Sequence, residues 1–218
     1  MKVLIINPNT TKEMTQAIEK TARASAAADT QITCLTPSEG PKAIESAYDV
    51  AVAAFHVLEL IRKDENDFDA FIIACGANPG IDAAREITQK PVAGIGESGM
   101  MTACSVASRF SVISPAVPGG TALGWEGVRA LGLERRCVSV RSTGKGVLEG
   151  FFIEKDDLVE MLYRTGKQAI EEDGAGALVL LCAGMTGTKE ILEQRLKVPV
   201  VDGVISALKT VEQFPPHG

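Results

Sequence analysis

The sequence predicts an α/β protein made of two pseudosymmetric halves. Each is a four-stranded parallel sheet in a flavodoxin-like, three-layer arrangement, and the active site is expected in the cleft between them. Three observations carry this prediction. Short, continuously apolar runs alternate with stretches of helical spacing. The runs recur at a nearly constant offset. A chain of 218 residues also has the length for two small α/β units.

The first apolar run, Val3–Asn7, leads into a helical stretch at Thr11–Ala24. Gln31–Leu35 follows, then a long amphipathic stretch at Ile44–Lys63 that carries His56. Ala70–Cys75 and Pro91–Ile95 are the third and fourth runs, separated by the helical Asp82–Thr88. Ser98–Ser108 reads as the helix that leaves the fourth strand. The pattern then starts again with Phe110–Ser114, Arg136–Val140, Ala177–Cys182 and Pro199–Val201. Leu158–Glu172 and Lys189–Leu196 are helical between them. Runs that are apolar throughout are those of parallel strands buried on both faces.

The punctuation of the two series coincides. Ile6-Asn7-Pro8 matches Ile113-Ser114-Pro115, and Ala70–Cys75 matches Ala177–Cys182, both at an offset of 107; Pro91-Val92-Ala93-Gly94 matches Pro199–Gly203 at 108. A duplication follows. The first half spans residues 1–97 together with the C-terminal tail 204–218, which is expected to pack back on it; the second spans 98–203.

Composition narrows the function. Apolar residues are 45% and charged residues 23% of the chain, which excludes disorder, collagen and coiled coil. With a net charge of −6 and no Lys/Arg run, nucleic acid is not an expected partner. No apolar run approaches a membrane span and the N-terminus has no signal-peptide pattern, so a cytoplasmic protein is expected. Five scattered cysteines without an export signal read as reduced thiols. With no CxxC pair and only two histidines, neither at metal spacing, no metal is expected.

The duplication singles out Cys75 and Cys182. Both end the third strand of their half, where open parallel sheets bind ligands. The turns after them, Gly76-Ala77-Asn78-Pro79-Gly80 and Ala183-Gly184-Met185-Thr186-Gly187, are small and Gly-rich, so backbone N–H groups can converge on an anion. Cys34, Cys104 and Cys137 read as core residues, and no Cys–His dyad is indicated for His56 or His217. Asn7-Pro8-Asn9-Thr10-Thr11 ends the first strand, with Asn7 and a threonine either capping the next helix or donating into the cleft; Ser114 is the counterpart of Asn7. Gly94-Ile95-Gly96-Glu97-Ser98-Gly99 matches GxGxxG after a strand, which keeps a nucleotide-binding oxidoreductase module as an alternative. Against it, the following strand ends without an acidic residue for a ribose.

Two like acid/base groups on opposite sides of one cleft suit a stereoinversion, in which one takes a proton from carbon and the other returns it on the opposite face. Here the chain resembles the Asp/Glu/hydantoin racemase superfamily, most closely its hydantoin and allantoin racemase branch. The resemblance rests on Ile6–Thr10, Gly40-Pro41 with Ile44-Glu45, Ala74-Cys75 with Pro79-Gly80, Ala83–Glu86, Cys182–Met185 and Pro199–Val204. It implies cofactor-independent racemisation of a small cyclic ureide, a 5-substituted hydantoin or allantoin, with Cys75 and Cys182 as catalytic residues. It further implies substrate contacts from Asn7, Pro8, Asn9, Thr10, Gly76, Ala77, Asn78, Ser114, Ala183, Gly184 and Met185, and a homo-oligomer, dimer or higher. An open-chain dicarboxylate or amino-acid racemase is the nearest alternative. The branch usually places a Phe and an acidic residue where Gly76-Ala77-Asn78 stands, and Leu181 takes the place of a common Gly.

Overall fold

The computed structural model describes residues 1–116 and 121–215. His217 and the end of the tail therefore lie outside the described residues. In chain order, the first series of elements runs β1 (Lys2–Ile6), α1 (Lys12–Ser25), β2 (Gln31–Leu35), α2 (Ala47–Asp64), β3 (Ala70–Ile73), α3 (Ile81–Ile87), β4 (Val92–Gly94) and α4 (Ile95–Val106). The second series runs β5 (Phe110–Ser114), α5 (Ala122–Ala130), β6 (Cys137–Ser142), α6 (Val147–Phe151), α7 (Lys155–Glu171), β7 (Leu178–Leu180), α8 (Lys189–Leu196), β8 (Val200–Asp202) and α9 (Gly203–Val211). Both sheets are parallel and share one topology, β2-β1-β3-β4 and β6-β5-β7-β8.

Strand alternation sorts the core into layers on either side of each sheet. In the first sheet Val3, Ile5 and Ile72 face α1 through Met14, Ile18 and Ala22. Leu4, Ile6, Phe71 and Ile73 face the opposite way, onto Val57 and Ile61 of α2 and Ala84 of α3. In the second sheet Ile113, Leu178, Leu180 and Val200 meet Leu158, Leu162 and Ala169 of α7 and Leu192 of α8.

On one face of each sheet a helix from the other series packs beside the sheet's own, α9 beside α1 and α4 beside α5. Met100 and Ala103 of α4, which leaves the first sheet, pack with Phe110, Val112 and Val179 of the second. Val204, Ala207, Leu208 and Val211 of α9, which leaves the second sheet, pack with Val3, Ile5 and Ile72 of the first. The two helices also pack against each other. Arg136, just before β6, holds the end of α4 by donating to the carbonyl oxygens of Cys104, Ala107 and Ser108 at 2.9, 2.7 and 2.6 Å. A cation on the last carbonyls of a helix offsets their orphaned charge. Arg136→Ala is expected to cost about 1–3 kcal/mol, read as a lower urea midpoint at unchanged m-value.

Helix α4 starts at Ile95, three residues before the expected Ser98, and both third strands stop short of their cysteines. The third strands end at Ile73 and Leu180, so the cysteines lie two residues beyond them. The neighbouring strands set that limit: the last ladder bonds there are Ala74 N–H to the Ile6 oxygen, 2.8 Å, and Leu181 N–H to the Ile113 oxygen, 3.0 Å. Helices α5 and α6 carry no clear sequence signal. Helix α6 is five residues long, too short to show a period.

Candidate active site

One cleft collects residues from both halves. Cys75 and Cys182 both line it, one from the turn after each third strand, with Gly76, Ala77 and Ala183 beside them. Each thiol lies against the backbone two residues on. The Gly184 N–H donates to Cys182 Sγ at 3.4 Å, and the Ala77 N–H donates to Cys75 in the same way. The duplication therefore extends to the hydrogen bonds of the thiols.

Burial dominates the acidity of both groups. It pushes Cys75 up to about 12, with the Ala77 N–H opposing and the neighbouring Cys182 adding to the rise. Cys182 is pushed up to about 11, with the Gly184 N–H opposing and the charge of Glu45 adding to the rise. Loss of water disfavours the thiolate, and a backbone donor recovers part of that loss.

The residues expected around the thiols separate into two groups. Asn9 and Ser114, from the ends of β1 and β5, line the cleft with Gly76, Ala77 and Ala183. Asn7, Pro8, Thr10, Asn78, Gly184 and Met185 are not among its lining residues. The Asn7 amide is buried and donates to Asn9 Oδ1, the Thr11 oxygen and Thr15 Oγ1 at 3.0, 3.2 and 2.9 Å, which shapes the loop from below. Thr10 turns to the Pro41 carbonyl. Asn78 Oδ1 accepts the Gly96 N–H at 3.1 Å, tying the turn after β3 to the start of α4. Asn78 has φ +47°, a conformation Asn tolerates better than most residues. Met185 is buried in the core of the second half.

The rest of the lining is apolar: Ala74 beside its cysteine, and Met14, Ile44, Pro115, Leu123, Val147 and Leu181, none of which the sequence marked as a site residue. Each comes from a different element or loop, so no local spacing joins them. The GxGxxG glycines are spent on protein contacts. A Cβ on Gly94 would lie 2.2 Å from Asn78 Oδ1, and one on Gly96 would lie 2.1 Å from the Gly76 oxygen. Glu97 pairs with Arg85. His56 is on α2 and does not line the cleft. Among the described residues no group of three or more side chains could hold a metal ion, and no helix is long and apolar enough to cross a membrane.

Two parallel α/β sheets of one topology each deliver a thiol to a shared cleft. Comparison with known proteins identifies the kind of enzyme. The chain belongs to the Asp/Glu/hydantoin racemase family, whose profile matches residues 3–211, and is an isomerase of the racemase type. It is 44% identical over 213 residues to a hydantoin racemase from Pseudomonas sp. strain NS671, covering 97% of this chain and 85% of that protein. A hydantoin racemase from Paenarthrobacter aurescens is 37% identical, covering 98% and 91%. Among solved structures, allantoin racemase from Klebsiella pneumoniae superposes with a TM-score of 0.93 at 36% identity, covering 98% of this chain and 86% of that one.

Proposed function

We propose that the protein racemises 5-substituted hydantoins with Cys75 and Cys182 as the two acid/base groups, without a cofactor. The pair of thiols at equivalent positions on one cleft carries this reading. One cysteine, as thiolate, takes the C5 proton: the C–H bond breaks, an S–H bond forms and the electron pair moves to the adjacent carbonyl as an enolate. The other thiol gives its proton to C5 from the opposite face and becomes the thiolate. Backbone N–H groups of the lining residues Gly76 and Ala183 hold the enolate oxygen in this reading.

The lining separates the possible substrates. Among its described residues there is no Arg, Lys or His to hold a dicarboxylate. Its apolar side chains suit a hydrocarbon substituent at C5 better than the ureido group of allantoin. The halves 1–97 with 204–218, and 98–203, are read as the two domains. Five free cysteines fit the reducing cytoplasm. Tyr48 and Phe55, 77% and 62% exposed on one side of α2, offer a contact for a homo-oligomer.

The test is loss of optical rotation from enantiopure 5-isobutylhydantoin and allantoin in D2O, with C5–H followed by NMR and EDTA present. Inversion with one deuterium incorporated, faster for the isobutyl compound, is expected; no inversion of either compound rejects the reading. Since both thiols are held neutral, kcat/KM is expected to rise about tenfold per pH unit between pH 6 and 8. A flat profile over that range would exclude a buried thiol as the base.

A further inference from the structure

Glu45 lies in the loop between β2 and α2, outside the cleft lining, and reaches across the molecule. Its Oε1 accepts the Val147 N–H at 2.7 Å, joining residues 102 apart in the chain. The residues on the cleft side of this bond are Ile44 and Val147 themselves, one wall from each half. The base of the loop is braced, since Glu45 N–H donates to Asp49 Oδ2 at 3.1 Å and Asp49 N–H to Ser46 Oγ at 3.1 Å. The far side is shaped to receive the carboxylate: a Cβ on Gly146 would lie 3.0 Å from Glu45 Oε1. At the duplication offset of 107 the counterpart of Glu45 is the exposed Phe152, so this charge has no equivalent in the second half.

We propose that Glu45 is a positioning residue of the racemisation site, whose carboxylate latches the loop after β2 to the start of α6 and sets a fixed negative charge beside Cys182. The inference rests on the racemase reading. The latch holds Ile44 and Val147 at the spacing that encloses the substrate. The charge makes the two thiols electrostatically unequal although their backbone settings match. Around Cys182 the titratable groups are Cys75, from the turn after β3, and Glu45. The other described side chains on the cleft, from α1, α5, α6 and the end of β5, carry none.

Two substitutions separate latch from charge. Glu45→Gln keeps an acceptor for the Val147 N–H and removes the charge, whereas Glu45→Ala removes both. The readouts are KM and kcat for 5-isobutylhydantoin, and the iodoacetamide alkylation rate of each cysteine at pH 8 by peptide mass spectrometry. In Glu45→Ala, KM is expected to rise about tenfold, and Glu45→Gln should restore most of it. In Glu45→Gln, alkylation of Cys182 should accelerate several-fold relative to Cys75, since removing a neighbouring negative charge favours the thiolate. Gly146→Ala, which crowds Oε1, should raise KM in the manner of Glu45→Ala. Unchanged KM in Glu45→Ala together with an unchanged Cys182:Cys75 alkylation ratio in Glu45→Gln would overturn the proposal. A wild-type protein that inverts no hydantoin would instead reject the racemase reading, while the alkylation ratio still reports on the charge.

Discussion

Cys75→Ser and Cys182→Ser are each expected to lower racemisation by about 10³-fold or more, in both directions. A serine hydroxyl keeps the size of the thiol, but its proton is far too tightly held to serve as base or acid near neutrality. Inversion needs both groups in one turnover, so losing either stops it. Exchange needs only one. The surviving thiolate can take the C5 proton and, after trading it for deuterium, return deuterium to the same face. Each variant should therefore wash the C5 proton out of one enantiomer while leaving its handedness unchanged, and the two variants should act on opposite enantiomers. Chiral chromatography with mass detection in D2O reads both quantities together. Full racemisation by either variant would eliminate the two-thiol mechanism.

Gly76→Ala is expected to be the most damaging single-methyl change. Its Cβ would lie 2.1 Å from the Leu181 oxygen, 2.4 Å from Leu181 Cγ and 2.9 Å from Leu181 Cδ1. Gly76 follows one thiol and Leu181 precedes the other, so the backbones of the two halves meet directly behind the reacting groups. Leu181 is held in place by its N–H, which donates to the Ile113 oxygen at 3.0 Å, and overpacking of this kind costs about 1–3 kcal/mol or more. The thiols would be forced apart, and a displacement of about 1 Å in a reacting pair is worth on the order of 10²-fold in rate. Gly150→Ala is the control, because its Cβ meets neighbours at 3.8 Å, ordinary contact distance. Denaturation midpoint and kcat should fall together in Gly76→Ala. A variant of wild-type stability and rate would show that the two turns can part without consequence.

The inner strands are legible in the sequence because a strand buried on both faces is apolar along its whole length, as Val3-Leu4-Ile5-Ile6 and Leu178-Val179-Leu180 are, whereas the edge strands β2 and β6 are mixed and half-buried. The cysteines stand out because duplication repeats their position. What encloses them is harder to read. Ile44 and Val147 become neighbours only through a contact spanning half the chain, and neither has a local pattern. Asn7 and Asn78 show the second limit. An amide at a strand end can serve a substrate or its own loop, and sequence does not distinguish the two. In the fold both amides are used internally, and Asn9 reaches the cleft instead.

The placement of α4 and α9 is reciprocal: each series of elements lends its last helix to the other's sheet. Without that exchange part of one face of each sheet would lie uncovered, so neither sheet is complete without the other series, and the cleft between them carries one thiol from each. An enzyme that must treat an object and its mirror image alike starts well from a site that is nearly its own twofold image. One chain also lets the two sides differ, as at Glu45, whose place in the repeat is taken by Phe152.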